Sequence, residues 1–291
     1  MSVLADKHTR VLVQGITGVQ ASFHVKRSID NGTNVVAGTS LQRTTNEYLG
    51  VPVFGNVAEA VKNMPIDASV MFVPAKAVKY AVREAVESEI KLIVSITQGV
   101  PVHDMLEIKA MLKGSKTMMI GPNTPGLITP GEARLGIFPE NIHRKGCIGI
   151  ISRASTLTYE GVLEINEAGL GQSTVVGLGD DMIVGTDYRE LMTLFMADDE
   201  TKAVVMIGKA DNVYEQMAAE HYAMMENKKP VVAFVAGESL PFGATMGYAE
   251  DIITHGLSTI QDKKKVMAQS GMIVVDRMSQ IHEALADLQL K

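Results

Sequence analysis

What most constrains this chain is a rhythm: short, almost continuously apolar runs alternate with helical patterns from end to end. Runs at 11–15, 34–39, 68–73, 92–97 and 117–120 read as buried strands, because a strand covered on both faces carries apolar side chains on both. Helical patterns lie between them, at 78–89 and 102–112. The alternation resumes with strands at 147–152, 173–178, 203–207, 231–235 and 272–275. Helices are expected at 157–168, 188–196, 213–226, 260–270 and 280–290. Such alternation predicts an α/β protein, with parallel sheets covered by helices on both faces.

One segment breaks the rhythm. Between Gly121 and Gly146 the chain places four of its ten prolines. Proline at that density forbids a helix and interrupts a central strand. With 291 residues to divide, this predicts three parts: an α/β domain over 1–122, a Pro/Gly-rich connection over 123–146, and a second α/β domain over 147–291.

Composition removes several function classes. Apolar residues make up 46% and charged ones 21%, enough to bury a sizeable core. The 18 methionines against no tryptophan read as core filler. No apolar run approaches the roughly 20 residues of a membrane span, and the first residues lack the apolar stretch of a signal peptide. The expectation is a soluble, cytoplasmic protein with no membrane partner. A lone cysteine, Cys147, excludes a disulfide framework and a cysteine zinc site, and reads as an inert buried thiol. No metal is expected: Asp180-Asp181 reads as a cap and a solvated charge. A net charge of −6 leaves no footprint for nucleic acid.

Two strand-to-helix turns carry the chemistry. Residues 14–21, Gln-Gly-Ile-Thr-Gly-Val-Gln-Ala, follow the first strand and open a helix. Small residues there allow a tight turn, and backbone N–H groups at a helix start suit phosphate. At the end of the second strand, where NAD binding calls for an acid, the chain has Thr39-Ser40-Leu41-Gln42-Arg43. A cation there suits a phosphorylated ribose, as in NADP or the 3′-phosphoadenosine end of coenzyme A. In the second half, Ser152, Ser155, Thr156 and Thr158 cluster around a helix start. One hydroxyl suffices for capping, and the surplus points to a phosphate or carboxylate site. Another glycine turn, at 177–181, is a candidate to line the same crevice. The run Lys263-Lys264-Lys265 reads as the wet face of a helix.

Several further segments stand in a recognisable order: 50–54 (Gly-Val-Pro-Val-Phe), 72–75 (Phe-Val-Pro-Ala), 96–101 (Ile-Thr-Gln-Gly-Val-Pro) and 121–126 (Gly-Pro-Asn-Thr-Pro-Gly). After them come 128–132 (Ile-Thr-Pro-Gly-Glu), 156–160 (Thr-Leu-Thr-Tyr-Glu) and 171–174 (Gly-Gln-Ser-Thr). With these, the chain resembles the alpha subunits of succinate–CoA ligase, among the nucleoside-diphosphate-forming acyl-CoA synthetases, over essentially its whole length. The resemblance implies an N-terminal Rossmann-like CoA-binding domain followed by a flavodoxin-like ligase domain. It implies a hetero-oligomer with an ATP-grasp beta subunit, which alone brings ATP or GTP, and a small carboxylate or acyl-CoA as substrate, in the tricarboxylic acid cycle. It places CoA on Thr17, Gly18, Val19 and Gln20, on Arg43, and on Ile96, Thr97 and Gln98. Tyr159 is the acid-binding position, and Ser155 and Thr156 stand at the phosphate-binding helix start. Arg43 replaces the usual lysine, and Gln98 the usual glutamate.

The chain departs from that family at the chemistry. The phosphoryl-carrying histidine of a Met-Gly-His-Ala sequence is replaced in Met246-Gly247-Tyr248-Ala249. A phenol with pKa near 10 is mostly protonated where an imidazole is nucleophilic. The family's orienting glutamate aligns with Lys209, a cysteine with Thr124, and a Ser-Gly pair with Ala154-Ser155. A basic stretch before the histidine becomes residues 242–245, Phe-Gly-Ala-Thr. Two outcomes are open. Lys209 and Tyr248 form an opposite-charge pair supporting altered chemistry, or the chain is a CoA-binding pseudoenzyme, regulatory within a ligase-like complex. His255 is too distant in sequence to replace the histidine, and His24 reads as structural.

Overall fold

The first apolar run forms β1 (Val11–Gln14), every residue of it buried, and the chain leaves the sheet by α1 (Val19–Asp30). The computed structural model describes residues 2–40, 45–210, 212–238 and 259–290. After α1 come β2 (Val35–Thr39), β3 (Glu47–Tyr48), β4 (Val51–Phe54), α2 (Val57–Asn63) and β5 (Ala68–Met71). Then follow α3 (Val78–Glu87), β6 (Leu92–Ser95), α4 (Val102–Lys113) and β7 (Met118–Ile120). Their hydrogen-bonded order is β3-β4-β2-β1-β5-β6-β7. Neighbours are parallel except for the antiparallel β3–β4 pair. Counting parallel strands alone, this is the 3-2-1-4-5-6 order of the Rossmann fold, with its switch point between β1 and β5.

A hairpin follows, β8 (Gly126–Thr129) and β9 (Ala133–Gly136), with Leu127 opposite Leu135. Prolines 122, 125, 130 and 139 all stand outside its two strands. They punctuate the segment and leave room for short strands between them, which the proline argument did not anticipate.

The remaining elements are β10 (Lys145–Ser152), α5 (Ser155–Glu167), β11 (Gln172–Gly177), α6 (Tyr188–Ala197), β12 (Ala203–Lys209) and α7 (Tyr214–Met224). The chain closes with β13 (Val231–Ala236), α8 (Ile260–Gln269), β14 (Ile273–Val275) and α9 (Gln280–Asp287). These strands run in the order β14-β13-β12-β10-β11, and β10–β12, β12–β13 and β13–β14 are parallel. Read from β11 this is 2-1-3-4-5, the flavodoxin-like order, with its switch point between β10 and β12.

The chain divides into two compact units: Ser2–Asn141 with Gly177–Thr186, and Ile142–Val176 with Asp187–Lys291. The return of Gly177–Thr186 to the first unit carries no signal in the sequence. Each unit has its own core. In the first, Leu12, Ala37, Met71, Val82, Ile93, Ile108 and Met119 are fully buried, each large side chain contributing about 1.5–3 kcal/mol. In the second, Ile150, Val175, Met192, Val205, Met206 and Met267 play that part. Methionine fills both cores as expected, although Met182 and Met224 lie exposed. Among the described residues no helix is long and apolar enough to cross a membrane.

Candidate functional site

In the first unit, β1 ends at Gln14, whose buried amide is spent internally. Its Nε2 donates to the Ala81 carbonyl at 3.2 Å and its Oε1 accepts from Ser69 Oγ at 2.8 Å. Gly15 then turns the chain at φ +81°, and a Cβ there would stand 2.7 Å from the Phe72 carbonyl oxygen. Only glycine satisfies both conditions. Gly18 precedes α1 in extended conformation. The helix starts with no side-chain cap and no acid in its first turn. First-turn amides have no acceptor within their helix, so α1 presents N–H groups and its positive end at exposed Val19 and Gln20.

That helix start opens on a cleft of about 600 Å³ at the switch point. The exits of three strands converge there: Gly18, Val19 and Gln20 after β1, Phe72, Val73 and Pro74 after β5, and Ile96, Thr97 and Gln98 after β6. Thr97 Oγ1 donates to the Val73 carbonyl at 2.6 Å, tying two of the exits together. Thr17 stands outside the lining, with its hydroxyl 3.0 Å from that of Ser40. Arg43 lies outside the described residues.

Sequence reasoning missed part of this wall. Ile137 comes from the stretch read as a connection, and His24, read as structural, also lines the cleft. The Phe72-Val-Pro segment was visible as a family motif but not as a lining. The His24 ring lies parallel to Phe72, with centroids 6.1 Å apart. Arg134 of β9 braces it from behind: buried, it donates to the His24 carbonyl and to Ser28 Oγ, both at 2.9 Å. Burial first, and then the charges of Arg134 and Arg27, hold His24 below the ordinary imidazole pKa, which keeps the ring neutral near pH 7.

In the second unit, α5 begins after β10 with Ala154 at its N-cap, again with no side-chain cap and no acid in the first turn. The hydroxyls divide into two sets. Ser152 and Thr158 are buried and bond the Ala154 main chain: Ser152 Oγ accepts from its N–H at 3.1 Å, and Thr158 Oγ1 donates to its carbonyl at 2.8 Å. Ser155 is half-buried and Thr156 exposed, and neither hydroxyl bonds another described residue. Neither set caps the helix, contrary to the plainer expectation. Tyr159 is half-buried on the same helix.

Across the switch point, β12 ends at Lys209, which is buried. Ile207, two residues earlier, meets α5, since a Cβ built on Gly161 would lie 2.8 Å from its Cδ1. Strand side chains repeat every two residues, so Lys209 belongs to the face that α5 covers. Arg153, fully buried, places its guanidinium 5.1 Å from the Tyr214 ring centroid. Tyr248, His255 and residues 242–245 lie outside the described residues.

Two expectations change, those for the lysine run and for Cys147, and two other residues take places of their own. Lys263 and Lys264 are not on a wet face: both are buried, Lys263 fully, and only Lys265 is exposed. Burial is possible because each ammonium has carboxylate partners. Asp180 is buried and Asp181 half-buried, and the Asp180 N–H donates to the Asn123 carbonyl at 3.0 Å. Thr124 is a structural bolt, donating to the Gly177 carbonyl at 2.5 Å and accepting from the Gly126 N–H at 2.9 Å. Cys147 is only half-buried, and burial pushes its thiol pKa up, away from reactivity.

The comparisons agree with this architecture. The CoA binding domain family matches residues 6–99, and the CoA-ligase family matches residues 151–273. Succinate–CoA ligase [ADP-forming] subunit alpha 2 of Archaeoglobus fulgidus is 45% identical over 288 residues, 99% of this chain and 100% of that one. The succinate–CoA ligase [ADP-forming] alpha subunit of Staphylococcus aureus strain Mu50 is 42% identical over 287 residues, 99% of this chain and 95% of its own. Among solved structures, ATP citrate lyase from Methanothrix soehngenii, in complex with citrate and coenzyme A, matches 98% of this chain at a TM-score of 0.89 and 22% identity. The dinucleotide-forming acetyl-coenzyme A synthetase 1 of Ca. Korarchaeum cryptofilum matches 95% at a TM-score of 0.77 and 17% identity. These two show the fold, and this chain spans 50% and 60% of their lengths. With a full-length relative at 45% identity, the chain belongs to the family of succinate–CoA ligase alpha subunits.

Proposed function

We propose that the chain is the CoA-binding alpha subunit of a nucleoside-diphosphate-forming carboxylate–CoA ligase, working with an ATP-grasp beta subunit. The observation that carries this reading is the switch-point cleft, where Gly18, Val19, Gln20, Ile96, Thr97 and Gln98 meet on one wall. CoA fits what is there. The uncapped start of α1 suits its phosphates, Arg43 suits the 3′-phosphate, and Val19, Phe72, Ile96 and Ile137 give apolar surface for its organic parts. In the second unit Tyr159 would hold the carboxylate, and Ser155 and Thr156 a phosphate. ATP or GTP would act through the partner.

Calorimetry of the full chain with CoA and with NADPH tests the cleft. CoA should bind more tightly, and tighter NADPH binding overturns the assignment. Arg43→Ala should weaken CoA by about 1–3 kcal/mol through a charge-assisted phosphate contact.

A second reading, a CoA-binding pseudoenzyme, is favoured by Tyr248 at the phosphohistidine position and Lys209 at that of its orienting glutamate. The two separate when the chain is combined with an ADP-forming beta subunit, ATP, CoA and a panel of carboxylates. Thioester or a phosphoryl mass shift supports the ligase, and their absence with assembly and CoA binding confirmed supports the pseudoenzyme. In the ligase case, Tyr248→His alone should not restore a histidine relay, because Lys209 opposes an imidazolium.

A further inference from the structure

Glu215 of α7 and Lys263 of α8 have no part in the roles above, yet they form a fully buried ion pair, Nζ to Oε2 at 2.9 Å. Taking a carboxylate and an ammonium out of water costs several kcal/mol per ion, and an apolar pair of similar volume often holds a fold as well. What the polar pair adds here is specific. The Lys209 N–H donates to Glu215 Oε1 at 3.1 Å, and Lys263 Nζ donates to the Lys209 carbonyl at 2.7 Å. Both main-chain groups of one residue are thus held by the two members of one buried pair. Gly208 makes room for it, since a Cβ there would stand 2.4 Å from Glu215 Cγ. The neighbouring Lys264 binds Glu238, just past β13, and Asp276, just past β14 at 2.8 Å. Helix α8 therefore fastens the exits of three adjacent strands.

We propose that Glu215 and Lys263 are positioning residues, which fix the main chain of Lys209 so that its ammonium meets the ligand's oxyanion at one place beside the start of α5. The inference rests on the reading of Lys209 as a site residue. Strand ends are where ladder hydrogen bonds run out, and a clamp there replaces a frayed terminus with a fixed one.

The test uses the full chain labelled with ε-¹³C-lysine, the Lys209 signal being assigned with Lys209→Arg and followed during titration with inorganic phosphate. In the wild type the signal should shift and saturate. In Glu215→Gln/Lys263→Met, which removes both charges together, the midpoint should rise about tenfold, as expected for a misplaced site group. Melting temperature and CoA affinity should stay as in the wild type. An unchanged midpoint in the double variant overturns the clamp while leaving the reading of Lys209 intact. No response of Lys209 to phosphate in the wild type overturns that reading and the clamp with it. If the double variant does not fold, Glu215→Asp keeps both charges and shortens the carboxylate arm by one methylene. It should raise the midpoint severalfold, and an unchanged midpoint again overturns the proposal.

Discussion

The carboxyl ends of the two sheets answer the same geometric situation with opposite chemistry. At the first switch point the described residues that line the cleft carry small, amide or apolar side chains and one neutral imidazole, while hydroxyls such as Thr97's are spent on main-chain carbonyls. Among the described residues, the groups of that cleft suited to an anion are the backbone N–H groups at the start of α1. At the second, Arg153 and Lys209 are buried at the strand exits, and the main chain of Lys209 is held by a buried ion pair. Doubly wound topology places a crevice at each switch point. The polar residues at the strand exits decide whether that crevice offers backbone dipoles or buried side-chain charge.

The sharpest break of this contrast is Lys263→Met alone. It leaves the Glu215 carboxylate buried and unpaired, and should cost about 3–5 kcal/mol in urea unfolding followed by circular dichroism. The double variant with Glu215→Gln should recover that loss. A single variant as stable as the wild type would mean that the second unit does not depend on its buried charge. In the first unit the corresponding weak point is backbone geometry. Gly15→Ala forces a Cβ toward the Phe72 carbonyl at a positive φ, and should cost about 1–3 kcal/mol. CoA affinity should fall with it. Next comes Thr97→Val, which strands the Val73 carbonyl and should cost about 1 kcal/mol, with a measurable loss of CoA binding by calorimetry.

The smallest effect distinguishes the units by sign. In the first, His24 is held below its ordinary pKa by burial and then by Arg134 and Arg27. Its unfolded form binds a proton more readily, so its contribution is intact above about pH 6.5 and is lost as pH falls through the lowered folded value. In the second, His282 is raised, first by its hydrogen bond with Glu164 at 2.7 Å. Its contribution is present below the same unfolded value and lost as pH rises through the folded one. Imidazole NMR titration should show the two histidines displaced in opposite directions. Displacement in the same direction would remove this difference between the units.

Much of the fold was legible before any coordinates. The ten strands read from apolar runs all appear, with bounds within two residues, although Ile273 of β14 is exposed. The long helices between them appear as well, because burial on both sheet faces writes itself into local sequence. The elements without that signature were missed: the two-residue β3, Pro52-containing β4, the seven-residue α2 and the hairpin β8–β9. The loops of the candidate cleft were legible as glycine turns and family motifs. Their convergence, and the company of Ile137 and His24, was not, because it depends on which strands become neighbours.

By itself, the sequence determined that two parallel α/β units would form, where their strand-to-helix turns would fall, and which family they belong to. It also carried, through the family resemblance, the expectation that Tyr248 and Lys209 stand where that family has a histidine and a glutamate. Only the tertiary structure decided which groups water reaches. Three consecutive lysines look alike in sequence, yet Lys263 is sealed against Glu215, Lys264 is held between Glu238 and Asp276, and Lys265 faces solvent. Local periodicity encodes which face of an element is apolar. Whether a charge is solvated or paired depends on residues tens of positions away, which the fold alone brings within 3 Å.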